Sequence, residues 1–144
     1  MDFEKFTKKS IECISGAERE AQERANPEID ELHLLFSLLS DAEGLIPELI
    51  RTMGKNPREL TERIDSALNS LPRLSGSGYS SGRVYISPSA EKALKAADKK
   101  REKMKDEYLS VEHIMLALFD SSNEKIKAAF SSVGIKESDF LAAL

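Results

Sequence analysis

The chain has 144 residues, of which 40% are hydrophobic and 32% charged, an ordinary composition for a globular protein that builds its own core. Its net charge of -4 argues against nucleic acid as the main partner. It has one cysteine, no apolar run long enough to span a membrane and no apolar signal-peptide core near its start. We therefore expect a cytoplasmic protein without disulfides or membrane segments.

The first predicted helix runs from a cap at Thr7 to about Arg24, because apolar residues recur there at helical spacing. The second predicted helix is the segment DELHLLFSLL, residues 30–39, which is capped by Asp30. This segment is apolar on almost all sides, so we expect it at the buried centre of its half of the protein.

Two shorter helices complete the first half of the chain. One covers roughly residues 44–53 and is followed by Gly54, a residue that suits a left-handed C-terminal cap. The other begins after Asn56, a good N-cap residue, has Pro57 in its first turn and runs to about Ser70.

The segment LPRLSGSGYSSGRVY, residues 71–85, is rich in glycine and serine, which is typical of a flexible connector. Residues 83–86 are too few to build a sheet, and no strand is expected elsewhere in the chain.

The second half of the chain repeats the first with a constant offset of 80 residues and no gap. The segment SVEHIMLALF, residues 110–119, falls on DELHLLFSLL, with a histidine at the same place in each. Caps, apolar positions and glycines also coincide. The matched pairs include Thr7 and Ser87, Ala17 and Ala97, Ile46 and Ile126, and Gly54 and Gly134. A duplicated unit of four helices explains this pattern, so we expect an all-α protein with about eight helices.

The repeat also suggests a division of the chain. We assign residues 1–70 to the first repeat, residues 71–85 to the connector and residues 86–144 to the second repeat, all within one domain.

Neither a nucleotide-binding motif nor a catalytic constellation is found, so the domain is not expected to be an enzyme in itself. The connector glycines lack the spacing of a P-loop. His33 and His113 each lie three residues after a helix cap, where a neutral imidazole can satisfy backbone groups of the first turn. The alternative is a metal site that combines both histidines with Cys13. For Cys13 itself we expect a buried, unreactive thiol.

Charge is distributed unevenly along the chain. Residues 26–50 carry six acids and no lysine or arginine, whereas residues 86–105 carry seven bases and three acids. Such runs are commonly solvated helix faces; the alternative is a docking surface for another protein or for the rest of a longer chain. No aromatic residues interleave with the bases, which disfavours nucleic acid.

The two aligned helices, DELHLLFSLL and SVEHIMLALF, together with the opening MDFEKFTKKS and the connector start LPRLSGSG, resemble the N-terminal domain of the Clp family of AAA+ unfoldases. Within that family they resemble the ClpB branch of protein disaggregases. The resemblance covers essentially the whole chain. It implies two four-helix repeats related by a pseudo-twofold axis and packed as one globular domain, tethered to a hexameric ATPase ring.

The resemblance also implies a function. The domain would bind exposed apolar segments of unfolded or aggregated polypeptides and pass them to the AAA+ hexamer, with the DnaK chaperone system as a further partner through the parent chain. It would hold no cofactor itself, because ATP and magnesium would bind in the AAA+ domains outside this chain. We expect no nucleic acid or membrane partner, a monomeric isolated domain, and a groove at the junction of the repeats lined by the first and fifth helices.

Five residues are carried over from the resemblance as candidates for substrate binding. They are Thr7, Leu94, Asp106, Glu112 and His113. Thr7, Asp106 and Glu112 match positions that the family links with chaperone activity, and Leu94 matches an apolar groove residue. This chain has Ala96 and His113 where some relatives have leucine. Helix capping by Thr7 and first-turn stabilisation by Glu112 are the structural alternatives.

Two other functions are consistent with the sequence. One is the adaptor- and substrate-docking N-domain of a protease-linked Clp unfoldase of the ClpC or ClpA type. The other is a stand-alone hydrolase or ligand-binding helical bundle.

Overall fold

The computed structural model describes residues 2–74 and 84–144, and within them the chain is almost entirely helical, which confirms the predicted all-α fold. The eight α-helices of these ranges are α1 (Lys8–Glu23), α2 (Glu31–Leu39), α3 (Leu45–Thr52), α4 (Pro57–Asn69), α5 (Pro88–Lys103), α6 (Val111–Phe119), α7 (Glu124–Val133) and α8 (Glu137–Ala143). A short 3-10 helix, Phe3–Lys5, precedes α1. None of the described helices has both the length and the apolar character needed to cross a membrane.

The helices begin and end at the residues that the sequence predicts as caps. Thr7 Oγ1 and Ser87 Oγ each accept a hydrogen bond, at 3.1 Å, from the backbone N–H three residues later. Gly134 closes α7 with a φ of 76°, and Gly54 follows α3 with a φ of 81°. In this left-handed region glycine avoids the steric cost that a Cβ imposes, so both halves stop their third helix in the same way.

The prediction that the chain contains no strand is wrong, because two strands of two residues each are present among the described residues. Strand β1 (Glu28–Ile29) pairs in parallel with strand β2 (Tyr85–Ile86), and Phe6 forms an isolated parallel bridge with Leu109. Each pairing joins one half of the chain to the other. Pattern reasoning misses such short strands because two residues show no alternation of apolar and polar side chains.

These two pairings are equivalent under the 80-residue offset. The N–H of Thr7 donates to the carbonyl of Leu109 at 2.8 Å, and the N–H of Ser87 donates to the carbonyl of Ile29 at 3.0 Å. The segment that leads into the first helix of each half therefore bonds to the segment that leads into the second helix of the other half. This reciprocal exchange relates the halves as a pseudo-twofold axis would.

Helices α2 and α6 form the centre of the protein, as their apolar sequences predict. Most residues of both helices are buried. Helix α2 contacts α5, α6 and α7 of the second half as well as α1, α3 and α4 of its own half. The two repeats therefore share one hydrophobic core rather than forming two separate ones.

The predicted connector, residues 71–85, is described only at its two ends. The N–H of Leu74 donates to the carbonyl of Ala25 at 2.7 Å, and the Asn26 side chain donates to the carbonyl of Pro72 at 3.0 Å. Tyr85 belongs to β2. Both described ends are thus held by hydrogen bonds, and the assigned repeat boundaries stay a prediction.

Candidate functional site

A cleft of about 590 Å³ opens where α1 meets the loop between α2 and α3 and the start of α6. We call it the junction cleft because both repeats contribute to it. Its apolar side chains come from four helices. They are Cys13, Leu38, Leu45, Ile46 and Val111. Cys13, Leu38 and Ile46 are buried, whereas Leu45 is 40% exposed, so the cleft has an apolar floor with an accessible apolar residue at its mouth.

The rim of the junction cleft carries charges of both signs. Its charged residues are Lys9, Glu12, Arg19, Glu20, Asp41 and Glu43. The Lys9 ammonium lies 3.8 Å from a Glu12 carboxylate oxygen and 3.9 Å from an Asp41 carboxylate oxygen. These groups are exposed, so the ion pairs contribute little to stability and can exchange partners readily.

Helices α1 and α2 approach each other closely beneath this cleft because of Gly16. A Cβ added at Gly16 would lie 2.6 Å from Ser37 Oγ. Ser37 Oγ in turn donates to the carbonyl of Cys13 at 2.7 Å. A Cβ at residue 16 would therefore displace the Ser37 hydroxyl from this contact; alanine stands at the equivalent position 96 of the second repeat.

The equivalent junction in the other half is filled by polar side chains. Glu31, which is 4% exposed, has Ser89, Ser121 and Asn123 as its hydrogen-bonding neighbours, and Asn123 Nδ2 donates to Asp30 Oδ2 at 3.3 Å. Burial raises the pKa of Glu31 above its usual range, an effect that the hydrogen bonds partly oppose. We call this group the polar junction; it ties the start of α2 to α5 and to the loop before α7.

The residues of the polar junction have counterparts in the junction cleft. Val111 stands at the position equivalent to Glu31, and Lys9, Asp41 and Glu43 stand at the other three equivalent positions. A valine side chain offers no hydrogen-bonding group to draw the loop of α2 and α3 inward. The duplicated architecture therefore has two equivalent junctions, one closed around a buried carboxylate and one open.

A salt bridge also distinguishes the two junctions. In the second repeat the Lys100 ammonium lies 2.6 Å from a carboxylate oxygen of Asp120, joining α5 to the end of α6. The equivalent residues of the first repeat are Glu20 and Ser40. Glu20 pairs instead with Arg24, at 2.7 Å, and Ser40 Oγ donates to a carbonyl of its own helix. Neither contact spans the junction cleft.

Both histidines cap their helices in the way that the sequence predicts. His33 is fully buried, its Nδ1 accepts from the N–H of Asp30 at 2.8 Å, and its Nε2 lies 2.9 Å from Asn26 Oδ1. Because Nδ1 accepts, the proton is on Nε2 and the ring is neutral. Burial is the main cause that lowers the pKa of His33, which favours this neutral form.

The second cap differs from the first by one residue. His113 Nδ1 accepts from the N–H of Ser110 at 2.9 Å, and its Nε2 lies 2.8 Å from Asp106 Oδ2. Asp106 stands at the position equivalent to Asn26. A carboxylate thus replaces an amide as the acceptor of the imidazole proton, and 44% of the Asp106 side chain remains accessible.

The predicted site residues fall into two groups. Asp106, Glu112 and His113 come together at the start of α6, where Glu112 accepts a hydrogen bond from Ser110 Oγ. Thr7 joins them through its backbone bond to Leu109, which precedes α6. This group neighbours the junction cleft.

Leu94 lies apart from that group, on the inner face of α5, and is 1% exposed. His113 is also 1% exposed. Among the described residues that line the junction cleft, none of the five predicted site residues is present. The fifth helix contributes no described residue to the lining of this cleft, whereas the first helix does, and the predicted groove stays a prediction.

The junction-cleft residues were missed although the sequence holds a clue to them. A position-by-position comparison of the repeats shows where they differ in chemistry, and valine in place of Glu31 is one such difference. Whether this difference leaves the junction open depends on which side chains meet across it. Only the packed structure shows those contacts.

Within the described residues, no group of three or more histidine, cysteine or acidic side chains is placed to hold a metal ion. Burial raises the pKa of the Cys13 thiol to about 12, although its hydrogen bond with Ser37 opposes this. His33 and His113 each accept, through Nδ1, a hydrogen bond from the backbone N–H of the N-cap residue of their own helix. The alternative of a joint metal site thus has no support from this geometry.

The chain matches the family model of the Clp repeat (R) N-terminal domain over residues 5–133. The chain belongs to the Clp N-terminal domain family. This Clp N-terminal domain is 31% identical over 144 residues to the chaperone protein ClpB of Bacillus anthracis, a match that covers 100% of this chain and 16% of that protein. The described chain thus spans only a small part of the length of that relative.

Solved structures show the same fold. The domain is similar to the crystal structure of the Hsp104 N-terminal domain from Candida albicans, with a TM-score of 0.81, 22% identity, and coverage of 96% of this chain and 87% of that chain. It is also similar to a ClpV N-domain in complex with a VipB peptide, with a TM-score of 0.73, 17% identity, and coverage of 99% and 87%. At these identities the likeness establishes the fold alone.

Proposed function

We propose that this chain is the substrate-recognition domain of a ClpB-type, ATP-dependent protein disaggregase. Its junction cleft binds exposed apolar segments of unfolded or aggregated proteins. The observation that carries the proposal is the open junction with an apolar floor, at a place where the duplicated counterpart is closed by polar side chains. An apolar cleft kept open on a stable core is a typical ligand-binding feature.

The composition of the junction cleft suits weak and unselective capture. Burying one aliphatic side chain of a client against the floor gives about 1.5–3 kcal/mol, and part of this is offset by the freedom lost on association. We therefore expect dissociation constants in the range of roughly 10 μM to 1 mM. The rim of both charge signs accepts varied flanking residues, because exposed ion pairs exchange readily.

The relatives support the proposal in two ways. The sequence match is to a ClpB chaperone along the whole of this chain. One structural relative is a ClpV N-domain in complex with a VipB peptide, so the fold accommodates a peptide ligand in that protein. By the same reasoning the longer protein would act in the cytoplasm, bind ATP and magnesium in its AAA+ domains, assemble as a hexamer and cooperate with the DnaK system.

Titration of the 15N-labelled domain with a permanently unfolded protein, reduced and carboxymethylated α-lactalbumin, tests the proposal. We expect amide shifts around Gly16, Gly44 and Leu45. The variant Leu45→Asp should bind at least about fivefold more weakly, because it places a charge at the apolar mouth. The matched control Leu141→Asp, at a similarly exposed leucine outside the cleft, should bind as the unaltered domain does.

Two results would contradict the proposal. One is a set of shifts confined to α7 and α8. The other is equal binding by the Leu45→Asp variant and the unaltered domain.

A second candidate function is adaptor docking, as in a protease-linked Clp unfoldase. The exposed face of α5 favours it: Lys92, Lys99 and Lys103 form no ion pair with any described residue. The double variant Lys92→Glu/Lys99→Glu separates the two functions. If α5 docks an adaptor, this variant should lose binding of the adaptor while its binding of the unfolded protein at the junction cleft stays unchanged.

A further inference from the structure

A second cleft, of about 510 Å³, lies between the end of α2, α3 and the start of α4. Leu39 and Pro47 form its buried apolar floor. Its charged lining residues are Arg51, Lys55 and Arg58, and no carboxylate occurs among the lining residues that the structure describes. We call it the basic cleft. Three cations without a compensating acid are unusual in a chain whose net charge is -4.

The three cations have different environments. The Arg51 guanidinium donates through Nη2 to the carbonyl of Ala42 at 2.9 Å, which orients the group and leaves its other N–H donors available. A Cβ at Gly134 would lie 3.1 Å from Lys55 Nζ, so this ammonium sits at the C-terminal end of α7, which is partially negative. Arg58 is exposed, and neither it nor Arg51 pairs with a carboxylate of the described residues.

The start of α4 adds to the positive potential of the basic cleft. Asn56 is the N-cap of this 13-residue helix, and its side chain accepts from the N–H of Arg58 at 2.9 Å. The N-terminal end of a helix carries a partial positive charge. Arg58 lies in the first turn of α4, beside this helix end, and Glu59, the acidic residue of that turn, is not among the described lining residues of the basic cleft.

The loop between α2 and α3 separates the two clefts by charge. Asp41 and Glu43 contribute to the junction cleft, whereas Ala42, between them, lines the basic cleft. The acids of this loop therefore do not enter the lining of the basic cleft. Two neighbouring clefts thus offer different chemistry: the junction cleft has mixed charge around an apolar floor, and the basic cleft has cations around an apolar floor.

The basic cleft is not a general product of the duplicated fold. Ser131, Ile135 and Ser138 stand at the positions equivalent to the three cations, and none of them is charged. At the position equivalent to Leu39 the second repeat has Phe119, whose ring stacks on Phe130 with centroids 4.5 Å apart. The second repeat therefore fills this region with aromatic rings, whereas the first repeat keeps an open cleft with positive charge.

We propose that the basic cleft binds an acidic segment of a partner protein, in which carboxylates flank an apolar side chain. Arginine guanidinium groups bind carboxylates through paired N–H donors, and the apolar side chain would lie on Leu39 and Pro47. Nucleic acid fits less well, because the described lining has no aromatic side chain on which a base could stack. The basic cleft shares no described lining residue with the junction cleft.

Fluorescence anisotropy with a fluorescein-labelled peptide, Asp-Leu-Glu repeated three times, tests the inference. The neutral peptide Asn-Leu-Gln repeated three times is its matched control. We expect the acidic peptide to bind at least about tenfold more tightly, and this binding to weaken as salt screens the charges. Variants Arg51→Gln and Arg58→Gln should each weaken binding about fivefold, while Lys99→Gln on α5, with the same loss of charge, should not.

Amide shifts of the 15N-labelled domain with the same acidic peptide provide the second measurement. We expect them at Ala42 and at residues 55–61, with Leu45→Asp binding the peptide as the unaltered domain does. Equal weakening by Lys99→Gln and Arg51→Gln, or equal binding of the neutral peptide, would overturn the proposed site. Tighter binding of a labelled single-stranded DNA through the same arginines would overturn the assigned class of partner.

Discussion

Glu31 and Val111 occupy equivalent positions in the two repeats, and they face equivalent junctions of opposite character. Glu31 is buried beside polar side chains of the other repeat, Ser89 of α5 and Ser121 and Asn123 of the loop before α7. Val111 forms part of an apolar floor that stays open. The same place is therefore filled by polar side chains in one half and open as a cleft in the other.

The pH dependence of stability tests the polar junction through the variant Glu31→Gln. Burial raises the pKa of Glu31, so the folded state holds the proton more firmly than the unfolded chain does. The contribution of Glu31 to stability is therefore lost as pH rises from its unfolded value of about 4.5 through its raised folded value. Glutamine removes this dependence. We expect a flatter profile in urea unfolding, with no flattening in the exposed control Glu62→Gln.

The histidine caps give a second comparison. His33→Ala leaves the N–H of Asp30 and the buried side chain of Asn26 without their partner, and should lower the free energy of unfolding by about 2–4 kcal/mol. His113→Ala should lower it less, because water can reach the half-exposed carboxylate of Asp106. Urea unfolding of both variants measures the difference. Equal losses of unfolding free energy in the two variants would contradict the prediction, because they would show that the exposure of Asp106 does not reduce the cost.

The lowered pKa of His33 also predicts a pH effect of opposite sign to that of Glu31. The folded state binds a proton at His33 less readily than the unfolded chain does, so stability falls as pH drops below about 6.5 toward the lowered folded pKa. The variant His33→Gln removes the titrating group. Its free energy of unfolding should vary less with pH in this window, measured by urea unfolding at several pH values. An unchanged slope would contradict the prediction.

Thr7 is both a helix cap and a predicted site residue, and its counterpart Ser87 separates the two roles. Each side chain caps its helix with a bond of the same length. Thr7→Ala and Ser87→Ala should each lower the free energy of unfolding by about 1 kcal/mol. If only Thr7→Ala weakens binding of unfolded α-lactalbumin, Thr7 contributes to the site. If neither variant changes binding, both residues act as caps alone.

The thiol of Cys13 should resist labelling in the folded domain. It is 5% exposed, and burial raises its pKa to about 12, so the reactive thiolate is scarce at neutral pH. We expect iodoacetamide to modify Cys13 only at the rate at which the domain opens, and rapidly in concentrated urea. Mass spectrometry measures the labelled fraction. Fast labelling without denaturant would show that the floor of the junction cleft opens easily.

The sequence by itself determined the helices, their caps and the duplication. Signals such as Thr7 before α1, Gly134 after α7 and the alignment of His33 with His113 act over a few residues, because capping bonds and left-handed turns are local. The apolar character of α2 and α6 likewise indicated that both would be central. Family resemblance added the arrangement of the repeats, which the reciprocal pairings at Phe6 and Ile86 support.

Only the tertiary structure decided which parts of the repeats remain accessible. Leu94 is buried, Asp106 Oδ2 lies 2.8 Å from His113 Nε2, and the open cleft lies mostly on the first repeat, around Leu45. Whether a junction closes depends on side chains that are far apart in sequence meeting in hydrogen-bonding geometry, as Asn123 does with Asp30. Sequence patterns report the periodicity and capping of each helix separately. The fit between side chains of different helices follows only from their packing around the shared core.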